Sequence, residues 1–238
     1  TVGVIQDSAV GCNGDSTGVA TAVLSFGVAP NNYMWSSGDT LPGATDTSNT
    51  VNGLAAGTYT VQVSDASGCI SSDSVVITEP SLIDLSITIN NHVYCNGLSD
   101  GSARVNTKNT GTSPWDYVWS NGDSTMASSS STNDVFALSA GTYYVTVTDA
   151  NGCSEMDTAI ITEPTLLTVT TTSVDAACGA SDGSATATPS GGTGQYTYLW
   201  DDPGTQTTST AIGLAANSYT VEVTDSNGCV ATDVVNIS

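Results

Sequence analysis

The sequence predicts an all-β protein built as a tandem array of three small sandwich domains. One segment carries most of that prediction. The run Gly53-Leu54-Ala55-Ala56-Gly57-Thr58-Tyr59-Thr60-Val61-Gln62-Val63-Ser64-Asp65-Ala66-Ser67-Gly68-Cys69 returns as Ala137 to Cys153 and again as Gly213 to Cys229. Leu54, Leu138 and Leu214 each stand fifteen residues before their cysteine. Upstream, Trp35 and Trp119 precede their leucine by nineteen residues and Trp200 by fourteen, so the third copy has lost five residues in one loop. A segment without insertions beside a loop that varies is how a folded module behaves. The second observation is periodicity. No stretch repeats its apolar residues at the 3.6-residue helical period. Short alternating runs separated by Asn-Gly, Asp-Gly and Gly-Gly read instead as strands and turns.

The repeats fall at residues 1–79, 80–163 and 164–238, with boundaries at Pro80 and Pro164, since proline lacks the N–H that a ladder needs. Each repeat, at about 80 residues, suffices for one small core that is marginal unaided. In the second repeat the pleat gives a first strand over Leu82 to Thr88. A second runs from Gly101 to Lys108, with Ala103, Val105 and Thr107 on one face. The third is Tyr117-Val118-Trp119. The Ser/Thr-rich stretch Ser120 to Asn133 reads as a loop holding at most a weak edge strand. Tyr143 to Val147 follows, with Tyr143, Val145 and Val147 inward. The hairpin Asp149-Ala150-Asn151-Gly152 turns it into Cys153 to Thr162, with Ala159 and Ile161 inward; Asn-Gly favours such a turn because both residues accept positive φ. A Trp on the third strand and a Tyr opening the penultimate one fit an immunoglobulin-like sandwich. These aromatics read as core, and Trp115, present in the second repeat alone, is the candidate for stacking a carbohydrate.

Twenty-three acidic residues stand against Arg104 and Lys108, a formal charge of −21. That excludes nucleic-acid binding, which needs clustered Lys and Arg, and disfavours docking on anionic lipid. The scattered acids read as a self-repelling, solubilising coat, and the scarcity of Lys and Arg leaves little for trypsin-like proteases. No apolar run is long enough to span a bilayer and no signal peptide is visible, so the chain reads as a mature fragment or an excerpt. His92 is the single histidine and has no counterpart in the other repeats, so a catalytic triad or a His-based zinc site lacks parts. The expectation is no enzyme.

Six cysteines, two per repeat, point to an oxidising, extracellular compartment. Two pairings are open. Local bridges would be Cys12–Cys69, Cys95–Cys153 and Cys178–Cys229. In an immunoglobulin-like sandwich, however, the first turn and the last hairpin lie at opposite ends, further apart than the ~7 Å Cα limit of a bridge. In a head-to-tail array the first turn of one unit faces the hairpin of the next. That favours Cys12–Cys153 and Cys95–Cys229, leaving Cys69 and Cys178 for repeats outside this segment. Calcium is the one cofactor weighed. Glu79 and Glu163 at the junctions, with Asp65, Asp149 and Asp225 before the hairpins, are its candidate ligands, against the plain reading of Asp as a turn residue.

Asp182-Gly183-Ser184-Ala185, Gly191-Gly192-Thr193 and Tyr196-Thr197-Tyr198-Leu199-Trp200, followed by Leu-x-Ala-x-x-Tyr-x-Val-x-Val-x-Asp-x-x-Gly-Cys, resemble the SprB repeat. The first two repeats add Ile-Thr-Glu-Pro at their ends. The first repeat departs, with Gly14-Asp15-Ser16-Thr17-Gly18 for the Asp-Gly-Ser step and Val28-Ala29-Pro30 for Gly-Gly-Thr. That family builds large surface adhesins of gliding Bacteroidetes and is similar to polycystic-kidney-disease-type immunoglobulin-like modules. The resemblance implies type IX export, a place in cell-surface filaments for gliding motility or attachment, and no particular binding residue. Separately, Ser8, Thr40, Ser74 and Thr158 each stand between an Asp and an aliphatic residue, which resembles the Asp-Ser/Thr-aliphatic acceptor of Bacteroidetes O-glycosylation, against the plain reading of chance in a Ser/Thr/Asp-rich chain.

The function expected is therefore an extracellular segment of a filamentous adhesin, acting by rigid extension and multivalency. Its partners would be a surface polysaccharide or another extracellular surface, together with neighbouring repeats. The alternative is a carbohydrate-binding accessory or a passive stalk of a type IX-exported hydrolase.

Overall fold

The computed structural model describes residues 1–108 and 110–238. The first repeat contributes β1 (Val2–Ser8), β2 (Gly18–Leu24), β3 (Asn31–Trp35), β4 (Thr40–Ala44), β5 (Ser48–Leu54), β6 (Gly57–Ser64) and β7 (Ile70–Ile77). The second contributes β8 (Ser86–Asn91), β9 (Gly101–Asn106), β10 (Trp115–Trp119), β11 (Ser124–Ser128), β12 (Thr132–Leu138), β13 (Gly141–Thr148) and β14 (Ser154–Ile161). The third contributes β15 (Thr168–Val174), β16 (Gly183–Ser190), β17 (Thr197–Trp200), β18 (Thr210–Leu214), β19 (Asn217–Thr224) and β20 (Val230–Ile237). Sheets run in the orders β1-β2-β5 and β4-β3-β6-β7, then β12-β9-β8 and β11-β10-β13-β14, then β15-β16-β18 and β17-β19-β20. The fold is all-β with the strand order of an immunoglobulin-like sandwich. Among the described residues no helix is long and apolar enough to cross a membrane.

The chain divides into two compact units: Thr1–Ser86 with Asn106–Asn133 and Val145–Asp157, and Ile87–Val105 with Asp134–Tyr144 and Thr158–Ser238. The division runs through the middle repeat. In the first unit, the core of the first repeat gathers Ala20, Ala22, Tyr33, Trp35, Val61, Val63 and Ile77. Trp35 Nε1 donates to Asn49 Oδ1 at 2.7 Å, tying β3 of one sheet to β5 of the other. Trp119 Nε1 donates to Asn133 Oδ1 at 2.8 Å in the same way. In the second unit, Ala185, Ala187, Trp200, Val221, Val223 and Ile237 form the core of the third repeat.

Two sequence features that define the repeat have direct structural causes. The glycine of the Asp-Gly-Ser step sits where β7, β14 or β20 crosses close by. A Cβ on Gly18 would lie 2.5 Å from Ile77 Cγ2, on Gly101 2.7 Å from Ile161 Cγ2, and on Gly183 2.8 Å from Ile237 Cγ2. The tyrosine opening the penultimate strand forms the corner expected of it. Tyr59 Oη donates to Ala55 O at 3.2 Å, Tyr143 Oη to Ser139 O at 3.1 Å and Tyr219 Oη to Ala215 O at 3.1 Å.

Several expected strand limits are corrected. Strand β8 starts at Ser86 rather than Leu82. The Asp84 amide donates to Thr110 Oγ1 at 2.6 Å and Ile83 is buried, so the preceding segment packs as a linker instead of joining a ladder. Strand β9 stops at Asn106, because Asn106 Oδ1 takes the Lys108 amide at 2.6 Å and Lys108 turns to φ 50°. The stretch 120–133 holds β11 and opens β12. The five-residue deletion in the third repeat removes the strand equivalent to β4 and β11. Among the described residues no strand stands between β17 and β18. Gln206 fills that place: its amide side chain bonds both the N–H and the C=O of Ile212 at 3.0 Å. Asp202 is buried, which opposes its ionisation, yet bonds from Gln206 and the Gly204 amide hold its carboxyl below the ordinary range.

Candidate functional site at the repeat junctions

An aspartate fixes the backbone of each hairpin cysteine. Asp149 Oδ1 accepts the Asn151 and Cys153 amides at 2.9 and 3.0 Å, while Oδ2 accepts the Thr112 amide at 2.9 Å. Asp225 repeats the arrangement with Asn227, Cys229 and Thr193 at 2.9, 2.9 and 2.8 Å. Asp65 does so with Ser67 and Cys69 at 2.9 Å and Val28 at 3.2 Å. For Asp65 these bonds, from Cys69 first, hold the carboxyl below its usual value. For Asp225 burial works against the charge, and the amides of Thr193, Cys229 and Asn227 outweigh it. Each carboxylate thus holds a cysteine in register.

The first-turn cysteines are held just as locally. Thr17 Oγ1 caps the Gly11 amide at 2.8 Å, Asp100 Oδ1 caps Tyr94 at 3.2 Å and Asp182 Oδ1 caps Ala177 at 2.8 Å. Each capped amide belongs to the residue just before a cysteine, and each capping residue stands just before the close-packed glycine of β2, β9 or β16.

In the first unit, Asn13 Nδ2 donates to Pro80 O at 3.1 Å and the Gly14 amide donates to Glu79 Oε2 at 2.7 Å. Cys12 is joined to Cys153. In the second unit, Asn96 Nδ2 donates to Pro164 O at 3.1 Å and the Gly97 amide to Glu163 Oε2 at 2.7 Å. Cys95 is joined to Cys229, and Asn227 Nδ2 adds a 2.9 Å bond to Tyr94 O. Apart from the Asn227 bond, the two junctions are closed by the same residue types, with the Asn-to-Pro and Gly-to-Glu bonds at the same distances. Beside each disulfide lies a shallow cleft, about 300 Å³ in the first unit and about 310 Å³ in the second.

The local pairing Cys12–Cys69, Cys95–Cys153 and Cys178–Cys229 is not formed. Ladder register gives the reason. Gly18, which ends the first turn, packs on Leu54 and Ile77, whereas Cys69 follows the hairpin at the opposite, Ser64–Ile70 end of the same β6–β7 ladder. Cys69 and Cys178 carry free, exposed thiols.

The five candidate calcium ligands are all engaged by backbone amides: Asp65, Asp149 and Asp225 in the hairpins, Glu79 and Glu163 in the first turns. Among the described residues no three His, Cys, Asp or Glu side chains gather as a metal site. Trp115 is buried, with Nε1 donating to Thr110 O at 3.2 Å, so it offers no stacking platform and the carbohydrate role is corrected. His92 Nδ1 accepts the Thr162 amide at 3.1 Å. Ser8, Thr40, Ser74 and Thr158 are exposed. Arg104 and Lys108 pair with Asp134 and Asp84, each at 2.7 Å. The clasping role of Asn13, Asn96, Glu79 and Glu163 was missed from the sequence, although the shared Cys-Asn-Gly and Glu-Pro steps were the signal for it.

No curated protein sequence is significantly similar to this chain. Among solved structures, the C-terminal fragment of intimin in complex with the intimin-binding domain of its translocated receptor is 15% identical with a TM-score of 0.40. The match covers 65% of this chain and 64% of the fragment, so the chain spans less than two thirds of that structure. Murine CEACAM1b is 11% identical with a TM-score of 0.28, over 68% of this chain and 100% of its own. Fibronectin(III)-like modules of Clostridium thermocellum CbhA are 12% identical with a TM-score of 0.28, over 68% and 94%. None of these scores is high enough to bear on fold or function. Residues 170–205, from β15 past Asp182-Gly183-Ser184 and Gly191-Gly192-Thr193 to just beyond Trp200, match the family model for the SprB repeat. Over residues 170–205 the third repeat of this chain is similar to the SprB repeat.

Proposed function

We propose that this chain is an extracellular repeat segment of a cell-surface adhesin, working by rigid extension and multivalency rather than by turnover. The observation that carries the reading is the double occurrence of one junction: an Asn-to-Pro bond, a Gly-to-Glu bond and a disulfide. A covalent bond beside two polar clasps resists bending, and disulfides of this kind belong to an oxidising compartment. The repeats run over 1–79, 80–163 and 164–238, each ending at a Glu-Pro step where one is present. The SprB match over 170–205 supports a surface location and a non-catalytic role.

The finer parts of the proposal are a gliding or attachment filament, type IX export, and a polysaccharide or other extracellular surface as the partner met by many weak sites. Exposed Ser8, Thr40, Ser74 and Thr158 serve as glycan acceptors in this reading, and calcium binding at Glu79 and Glu163 would require their carboxylates to exchange an amide for the ion. Small-angle scattering of the oxidised chain, paired with a glycan array, tests the proposal. The expected result is a stiff extended particle with weak, valency-dependent binding. A profile of freely jointed modules sinks the extension part, and monovalent tight binding sinks the multivalent part.

A further inference from the structure

In the first two repeats the strand that carries the tryptophan is covered along its outer edge by a short strand. Strand β4 lies on β3, with Tyr33 opposite Leu41 and Met34 opposite Thr40. Strand β11 lies on β10, with Tyr117 opposite Thr125 and Val118 opposite Ser124. In the third repeat the sheet ends at β17. The first rung survives there: the Trp200 amide donates to Gln206 O at 3.0 Å, as Trp35 and Trp119 donate to Asp39 O and Asp123 O at 2.9 and 2.8 Å. Beyond that rung the chain departs, because the Gln206 side chain bonds Ile212 of β18. Backbone N–H groups alternate sides along a strand, so the Tyr198 N–H points the same way as that of Trp200. On that side of β17 no strand follows among the described residues.

Burial registers the gap. Tyr33 and Tyr117 are 1% and 0% exposed, and their hydroxyls donate to Asp46 O and Ser130 O, just past β4 and β11. Their counterpart Tyr198 is only half-buried, and Leu199 beside it is 48% exposed.

From this open edge we infer that β17 binds an extended segment of a partner protein as an added antiparallel strand, in the place that β4 and β11 hold in their own repeats. Main-chain bonds to Tyr198 supply the attachment, and the side chains on the outer face set the preference. There Leu199 pairs with Glu222, where Met34 pairs with Gln62 and Val118 with Thr146. The third repeat alone thus sets a carboxylate at this position, one strand in from the edge. A lysine or arginine on the added strand, opposite Leu199, lays its stem over that apolar residue and brings its charge to Glu222. The segment is therefore extended and basic. Residues 1–238 do not supply it, since Arg104 and Lys108 are paired with Asp134 and Asp84. Their net charge of −21 draws a basic segment and repels an acidic one. The inference stands apart from the multivalent reading, which needs no single protein partner.

The test is hydrogen exchange by NMR on the full oxidised chain. The probe is a peptide copying residues 122–129 with Ser124→Lys, which places the cation opposite Leu199. Without peptide, the Tyr198 amide should exchange about tenfold faster than those of Tyr33 and Tyr117, which lie inside ladders. Saturating peptide should slow Tyr198 by about the same factor and leave the other two unchanged. Methylating the peptide nitrogens that face β17 should abolish the effect, and methylating those that face away should not. Glu222→Gln, at an exposed position, should weaken binding about threefold, the size of an exposed ion pair. A Tyr198 amide as protected as Tyr33 before peptide is added, no slowing up to the solubility limit of the peptide, or equal binding of the two methylated peptides would each overturn the added strand. Unchanged affinity in Glu222→Gln would overturn the basic partner.

Discussion

Glu163 reaches back across the chain to accept the Gly97 amide at 2.7 Å, and Glu79 does the same for Gly14 at the same distance. The residues that end one repeat thereby lock the first turn of that same repeat, next to the cysteine that bonds the following one. Glu163→Ala removes this acceptor and is expected to cost about 1 kcal/mol. Limited proteolysis with a broad-specificity protease should cut the Glu163–Leu167 segment several-fold faster in the variant. Unchanged cleavage would show that the clasp contributes nothing to the order of the junction.

Reduction of the two disulfides should lower thermal stability and broaden the transition. They span sequence separations of 141 and 134 residues. Chain-entropy arguments give each at most about 5 kcal/mol for loops beyond 100 residues, less where folded modules inside the loop already restrict the chain. Calorimetry with and without reductant measures this. A single transition at the same temperature in both conditions contradicts it.

The repeat unit and its core were legible because they are written in strict alternation. Val61 and Val63, Val145 and Val147, and Val221 and Val223 lie two apart and are all buried. Strands β5, β12 and β18 were not legible for the opposite reason. Their inward residues are three apart: Val51 and Leu54, Val135 and Leu138, Ala211 and Leu214. Positive φ at Gly53 (74°), Ala137 (56°) and Gly213 (71°) inserts a bulge there and breaks the period of two. The clasp was hidden because Glu-Pro at a boundary reads as punctuation. Its amide partners lie some 65 residues away, a separation that no local pattern encodes.

Gly183→Ala should destabilise the third repeat by about 1–3 kcal/mol, the usual penalty of overpacking. The added Cβ would sit 2.8 Å from Ile237 Cγ2 and 2.9 and 3.1 Å from the carbonyl oxygens of Leu214 and Val174. Two of the three are backbone atoms held in ladders and cannot yield as a side chain tip does. Denaturant titration of the oxidised chain gives the answer. A midpoint indistinguishable from the parent would mean that the close crossing relaxes freely.

Asp225 makes stability depend on pH in one direction only. In the folded chain burial opposes its charge, but the amides of Thr193, Cys229 and Asn227 hold its carboxyl below the ordinary value of about 3.9. The folded state therefore binds this proton more weakly than the unfolded one. Its contribution is complete above pH ~4 and disappears as the pH falls through the folded value. Protonation of the other acids relieves the self-repulsion of a chain with net charge −21, which works the other way over the same range. Comparison with Asp225→Asn separates the two effects. The variant should be less stable at neutral pH, since an amide offers only one acceptor oxygen for the three N–H groups. The gap between parent and variant should stay constant at higher pH and narrow as the solution is acidified below pH ~4. A gap that widens on acidification, or one that is absent at neutral pH, would refute the role given to this carboxylate in holding Cys229 at the junction.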